Sequence, residues 1–311
     1  MKKVLFATTA LVASAGIASA QGVSLSGSAE MGIVGGSGHG DEVQFWHDLD
    51  VRFTLSGETD GGLTFGATID LDEVGDDTCS LGIGATGSAG CVEEQSVFIS
   101  GAFGTVTIGD TDGAFDWALA DAAIGGAIDD AHTTHAGFSG TSGLDGIYDG
   151  QIARYDYSFG DFAFAASVEL DDTGVGDPAF GLGFTYSASL SGTDLGFGLG
   201  YQTADTGAMS YDIWGASVDA SFGGGFQVVL EYQELDGFGG NDSHVGVGLG
   251  YSMDAITLGA NWGQYDTTAG DSVDGWGVAA NYDLGGGAEV QFGYGQDDTY
   301  DWWSLGIAMS F

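Results

Sequence analysis

Apolar and polar residues alternate with a period of two through most of this chain, and that pattern restricts the fold more than any other feature. Phe162, Phe164, Ala166, Val168 and Leu170 alternate with Ala163, Ala165, Ser167 and Glu169. Phe226, Val228, Leu230 and Tyr232 alternate with Gln227, Val229, Glu231 and Gln233, and Trp303, Leu305, Ile307, Met309 and Phe311 alternate with Trp302, Ser304, Gly306, Ala308 and Ser310. A strand places successive side chains on opposite faces, so each segment has one apolar and one polar face. Sixteen strands are expected, near 22–34, 43–56, 62–72, 94–100, 104–110, 150–158, 161–170, 179–188, 194–203, 209–221, 225–236, 243–252, 255–265, 272–283, 286–297 and 300–311. Their length, about ten residues, suits a tilted strand that crosses a bilayer.

The connectors alternate too. One set is short, such as Phe159-Gly160, Met253-Asp254 and Leu284-Gly285; the other is mostly longer and acidic, such as Gly35 to Glu42, Glu73 to Glu93 and Asp266 to Asp271. Antiparallel strands with short turns at one end and long loops at the other describe a transmembrane barrel. A soluble β-sandwich of these strands would have to bury acids or expose aromatics to water. A barrel in lipid does neither, and its closure satisfies every backbone polar group. A calcium-binding solenoid would repeat a Gly-rich nonapeptide, and Gly239-Gly240-Asn241-Asp242 does not recur. The fold class is therefore all-β, a 16-stranded antiparallel transmembrane β-barrel. Trp262, Trp276, Tyr282, Tyr294, Tyr300 and Trp303 fall toward strand ends, where interfacial aromatic girdles lie.

One segment breaks the pattern. Residues 111–149 carry Asp112, Asp116, Asp121, Asp129, Asp130, Asp145 and Asp149 and no Lys or Arg. Insertions of this length are uncommon in compact folds and are usually functional. Residues 1–20 read as a cleaved secretory signal peptide: Lys2 and Lys3, an apolar run from Val4 to Val12, and Ala18-Ser19-Ala20 before Gln21. Residues 21–311 are then a single barrel domain. The leader holds two of the four basic residues and none of the 45 acids, so the formal charge goes from −41 to −43 on its removal. Such a surface excludes nucleic acid and anionic membrane surfaces as partners, and makes cations the natural mobile ones. Cys79 and Cys91 lie 12 apart in a Gly/Ser-rich segment. In a secreted chain an even pair reads as a disulfide, stabilising by roughly 3 kcal/mol. A metal pair there would lack further Cys or His close by.

The leader followed by QGVSLSGSAEMGI, the VRFTLSGETDGGLTFGATIDLD hairpin, GTVTIGDTDGAFDWALAD before the insertion, ARYDYSF after it and the terminal Phe311 resemble general bacterial porins of the alphaproteobacterial, Rhodobacter-like type. The resemblance covers the whole mature chain. It implies a homotrimer in the outer membrane of a Gram-negative bacterium, with the long loop at 111–149 folded into the barrel as a constriction. It also implies that Phe311 is the signal read by the barrel-assembly machinery. In that family, acids on the loop face a basic cluster on the opposite wall. Here the basic wall is reduced to Arg52 and Arg154, both lumenal by parity, with Asp48 and Asp50 on the face of Arg52.

The expected function is a general diffusion channel for small hydrophilic solutes and ions, strongly cation-preferring. The constriction residues are Asp110, Asp112, Asp116, Asp121, Asp129 and Asp130, countered by Arg52 and Arg154, with Asp48 and Asp50 beside them. No cofactor is required. Calcium, a hard cation with six to eight oxygen ligands, could be held at Asp110, Asp112, Asp129 and Asp130, with Asp76-Asp77 a further source. His132 and His135, after Asp129-Asp130, could bind a transition metal if a local turn brought the rings together. His39, His47 and His244 stand isolated near expected rims. A membrane hydrolase would need Ser beside His with an orienting acid, and no strand offers that; the chain is read as no enzyme. The rival readings are a substrate-specific channel and a surface calcium-binding adhesin.

Overall fold

A computed structural model of the protein describes residues 22–71, 93–171 and 173–311. The leader, Cys79, Cys91 and the Asp76-Asp77 pair lie outside these. Sixteen strands form a closed antiparallel barrel in which each pairs with its sequence neighbours and the first pairs with the last. They are β1 (Gly22–Gly35), β2 (Gln44–Glu58), β3 (Thr64–Leu71), β4 (Glu93–Gly101), β5 (Gly104–Asp110), β6 (Gln151–Phe159), β7 (Phe162–Glu169), β8 (Asp177–Leu190), β9 (Thr193–Asp205), β10 (Ser210–Phe222), β11 (Phe226–Asp236), β12 (Asn241–Met253), β13 (Ile256–Thr267), β14 (Ser272–Gly285), β15 (Ala288–Asp297) and β16 (Asp301–Ser310).

Closure is made between β1 and β16, with Ser28 opposite Ser310 and Gly35 opposite Trp303. Phe311 continues the seam: its N–H donates to the Gly27 carbonyl at 2.9 Å. Leaving no edge removes the row of unpaired amides that lipid would not tolerate. Pro178, expected at a loop end, lies inside β8, where the pairing with β9 shifts register between Asp177 and Phe180. The irregularity is what lets a residue without an N–H stay in a sheet.

The outward face is apolar and exposed, with Leu49, Leu182, Leu199, Leu230, Leu249 and Leu305 all open to the surroundings. Aromatic rings pair on it, as Phe162 with Tyr186 and Phe226 with Tyr251, each at 4.6 Å between centroids. No helix among the described residues is long and apolar enough to cross a membrane. The inward face differs from a soluble core. On β8, β9 and β12 to β15 it is rich in glycine, as in Gly181 and Gly183, Gly198 and Gly200, Gly275 and Gly277, and Gly293 and Gly295. What fills that space is the insertion between β5 and β6.

Candidate functional site: the infolded loop and the wall it leaves open

The insertion runs along the inner wall instead of across the lumen. It begins with a short helix, α1 (Ala114–Ala118), whose Ala114, Phe115 and Ala118 are buried against β7, β8 and β9. A methyl group added at Gly183 would overlap the Ala114 carbonyl, and one at Gly200 or Gly215 would meet the Phe115 ring. The contact then moves round the barrel. Gly248 lies under Ala122, Gly259 under Ile124, Gly293 under Ala127, and Gly277 under His132. Ile128, fully buried, ends over Gly306 of β16 and Gly32 of β1. Glycine is needed at Gly259 and Gly277 because loop carbonyls occupy the place of a side chain.

Polar wall residues secure the loop backbone. The Ser167 and Ser217 hydroxyls accept from the N–H of Ala114 at 2.9 Å and Ala120 at 3.0 Å. Asn281 donates to the Gly126 carbonyl at 3.0 Å, and His244 Nε2 lies 2.8 Å from the Gly137 carbonyl. Glu169 accepts from Gly146, Tyr148 and Gly150 at 2.8–3.1 Å. Asp145 takes the Gly113 N–H at 2.6 Å and the Gln202 amide at 2.7 Å, tying the start of the loop to its end. The irregular backbone thus finds its partners without water. From β6 round to β1 the wall is covered, and among the described residues only β2 to β5 stay bare.

The predicted site residues divide accordingly. Asp110, Asp112, Asp121 and Asp130 are exposed to the lumen, whereas Asp116 and Asp129 are half-buried. Thr141 Oγ1 lies 2.9 Å from Asp116 Oδ1 and 2.8 Å from Asp121 Oδ1. A hydroxyl has one proton to give, so the second contact calls for a proton on a carboxyl. Burial, with Asp112 nearby, pushes Asp116 up to about 7, which supplies it. Burial also pushes Asp145 up to about 6 and raises Asp121, Asp129 and Asp130. Asp121 and Asp130 rise although they touch lumenal water, because the barrel and loop crowd them and limit hydration of the charge. Asp129 is held at 3.0 Å by His39 Nε2, so His39 is not the isolated rim residue expected.

The two arginines differ in setting. Arg154 is 7% exposed; its Nη1 donates to the Asp112 carbonyl at 2.6 Å, and its Nε lies 3.6 Å from Asp156. It clamps the loop root instead of facing the lumen. Arg52 sits on the bare wall with its side chain 44% exposed. One carboxylate it meets is Asp70, with Nη2 at 2.8 Å and Nε at 2.9 Å from Oδ2. Asp48 and Asp50 share its face but lie four and two residues along the same strand, about 7 Å for every two residues. Asp70 is directly across in the register, where side chains come within about 5 Å. Asp50 instead accepts from Ser28 at 2.8 Å.

His132 and His135 are both buried under the loop, and burial pushes His132 down to about 4 and lowers His135. His244, expected near a rim, is buried beneath them, and His47 faces outward beside Phe45 and Leu49. No group of three or more His, Cys, Asp or Glu side chains among the described residues is arranged to hold a metal ion. Sequence reading does not mark Asp70, Thr141 or Glu169 as site residues, and gives Asp145 only as one of the insertion's acids. The signal for the loop bed is present in the Gly-x-Gly spacing of β8, β9, β12, β14 and β15, where the inward positions are too small to form a core.

The comparisons agree with this architecture. A Gram-negative porin family profile matches residues 7–301. A porin from Rhodobacter capsulatus is 30% identical over 301 residues, covering 89% of this chain and 94% of the relative. A porin structure refined at 1.8 Å superposes with a TM-score of 0.71 at 26% identity, covering 93% of this chain and all of the other. A mutant of Rhodopseudomonas blastica porin shares the fold, with a TM-score of 0.72 at 20% identity and the same coverage. A water-wide barrel with a loop along its inner wall, and this kinship, describe an outer-membrane channel and not an enzyme: the chain belongs to the Gram-negative porins.

Proposed function

We propose that this porin is a general diffusion channel for small hydrophilic solutes and ions, with a strong preference for cations. One observation carries the reading: the lumen between the loop and the bare wall is lined by exposed and half-buried acids, while the basic groups are neutralised or sealed. Asp110, Asp112, Asp121 and Asp130 reach it from the loop and its root, and Asp48 and Asp50 from β2. Arg52 is paired with Asp70, and Arg154 is buried at the loop root. A pore is tuned by the charges at its narrowest place, and carboxylates there concentrate cations and repel anions. Homotrimeric assembly and recognition of Phe311 by the barrel-assembly machinery complete the reading, on the strength of the family.

The test is the zero-current potential of the purified protein in a planar bilayer under a potassium chloride gradient. A potential near the cation limit with ohmic conductance is expected. A potential near zero, or of anionic sign, sinks the cation preference.

A further inference from the structure

The tip of the infolded loop is strained. Asp129 and Asp130 both have left-handed backbone, with φ of 60° and 39°. Such strain at non-glycine residues persists only where neighbouring contacts enforce it. At this tip Ile128 is buried over Gly32 and Gly306, the Asp129 N–H donates to Glu30 Oε2 at 3.4 Å, and His39 Nε2 lies 3.0 Å from Asp129 Oδ2. The His39 contact comes from the connector between β1 and β2 and not from the wall. An ionised carboxylate only accepts, so with Asp129 charged the ring nitrogen carries the proton. The connector is itself firmly placed. Ser37 Oγ donates to Asp301 Oδ1 at 2.6 Å, the Asp301 N–H donates to Ser37 Oγ at 2.9 Å, and Gln44 donates to the His39 carbonyl at 3.2 Å. A side chain at Gly38 would overlap the Trp302 ring.

We propose that His39 is a positioning residue of the pore: it latches the tip of the loop at the seam between β1 and β16, and so fixes where the aperture begins. The loop covers the wall as far as β1, and among the described residues the bare wall starts at β2, so the tip forms one edge of the open lumen. Asp130, next to the latched residue, is exposed there. The Asp130 carbonyl accepts from the hydroxyls of Thr133 and Thr134, each at 2.9 Å, so the turn that presents Asp130 moves as one piece with the tip. A hydrogen bond to a charged group is stronger than a neutral one, and this one joins segments 90 residues apart. Its loss would free the tip to leave the wall and enter the lumen. The start of the loop would stay docked, because Ser167 and Asp145 hold the N–H groups of Ala114 and Gly113. The assignment goes beyond ion preference and holds for a pore of either selectivity.

The experiment compares His39→Ala with His39→Gln in the purified barrel. Gln places an amide N–H close to the position of Nε2 and keeps the bond, whereas Ala removes it. In the Ala variant, hydrogen exchange at the amides of Asp129, Asp130, Thr133 and Thr134, read by mass spectrometry, is expected to speed roughly tenfold, the factor expected for losing a hydrogen bond to a charged group. The amides of Gly113 and Ala114 should keep their rates. Single-channel records should lose their steady open level and show a lower mean conductance. His39→Gln should restore both readouts. In an Asp129→Ala background, His39→Ala should add nothing, since the partner is already gone. Unchanged exchange and current in conducting His39→Ala protein overturn the latch. So does a Gln variant that behaves as the Ala variant, or exchange that speeds equally at the tip and at Gly113 and Ala114. His39→Asn, whose amide is too short to reach, takes the place of His39→Ala should that variant give no heat-modifiable barrel. An unmodified channel that proves unselective would refute the proposed function and leave the comparison between Ala and Gln intact.

Discussion

At the scale of single residues, the loop is docked by groups whose protonation is set by burial. His132 is held near 4, below the usual histidine range. Its contribution to docking is complete above about 6.5 and is lost as pH falls through 4, because the undocked ring takes up the proton first. Asp116 and Asp145 have the opposite sign. Their carboxyls are raised to about 7 and about 6, so they favour docking when protonated and cease to do so as pH rises through those values. Between about pH 4 and 6 the two carboxyls lose more than the one imidazole gains, so resistance of the loop to limited proteolysis should fall as pH rises from about 4 to about 7. Asp116→Asn should match the unmodified protein only below about pH 4, where the undocked carboxyl is protonated as well, and resist better at pH 8, where it avoids a buried charge. Equal cleavage rates at pH 8 would show that Asp116 is not the group that resists ionisation.

At the scale of elements, the fit between the loop and its glycine bed decides the aperture. A methyl at Gly277 or Gly259 would overlap the carbonyl of His132 or Ile124. Neither the strand nor the loop backbone can yield by a side-chain rotation, so the loop must leave the wall. Gly277→Ala with Gly259→Ala is expected to lower single-channel conductance, as the loop is pushed into the lumen, and to make it more susceptible to protease. Gly61→Ala, in the turn between β2 and β3 where a methyl has room, should leave both unchanged. The same conductance in the paired variant would mean that the loop does not lie on these strands.

At the scale of the whole molecule, a formal charge of −41 over 311 residues makes ionic strength the main control on transport. The screening length falls from about 10 Å at 0.1 M salt to about 3 Å at 1 M. Charges lining an aqueous path lose their reach over that range. The cation-to-anion permeability ratio should drop several-fold between the two concentrations, and selectivity that survives 1 M salt would place the deciding charges in a much tighter, desolvated constriction. The closed barrel is not expected to come apart with them, since its ladder is backbone and its outer face apolar.

Much of this was legible in the residues. A period of two, with one face apolar for about ten residues at a time, leaves few folds once every backbone group must be paired in lipid. Parity alone put Arg52, Asp48 and Asp50 on the inner face, because a strand offers each side chain only two directions. Closure, and with it the outer membrane, thus followed from local chemistry, and the resemblance added the infolded loop. The exposure of each charge did not follow. Whether Asp112 meets water, whether Arg154 is sealed, and whether Arg52 is met by Asp48, Asp50 or Asp70 depend on contacts between segments that are far apart in the chain or on different strands. Gly277 is small because His132 lies over it, and Asp70 holds Arg52 because β2 and β3 meet in one register and no other. The electrostatic state of a side chain is set by its distance to partners and to water, and only the folded barrel determines those distances.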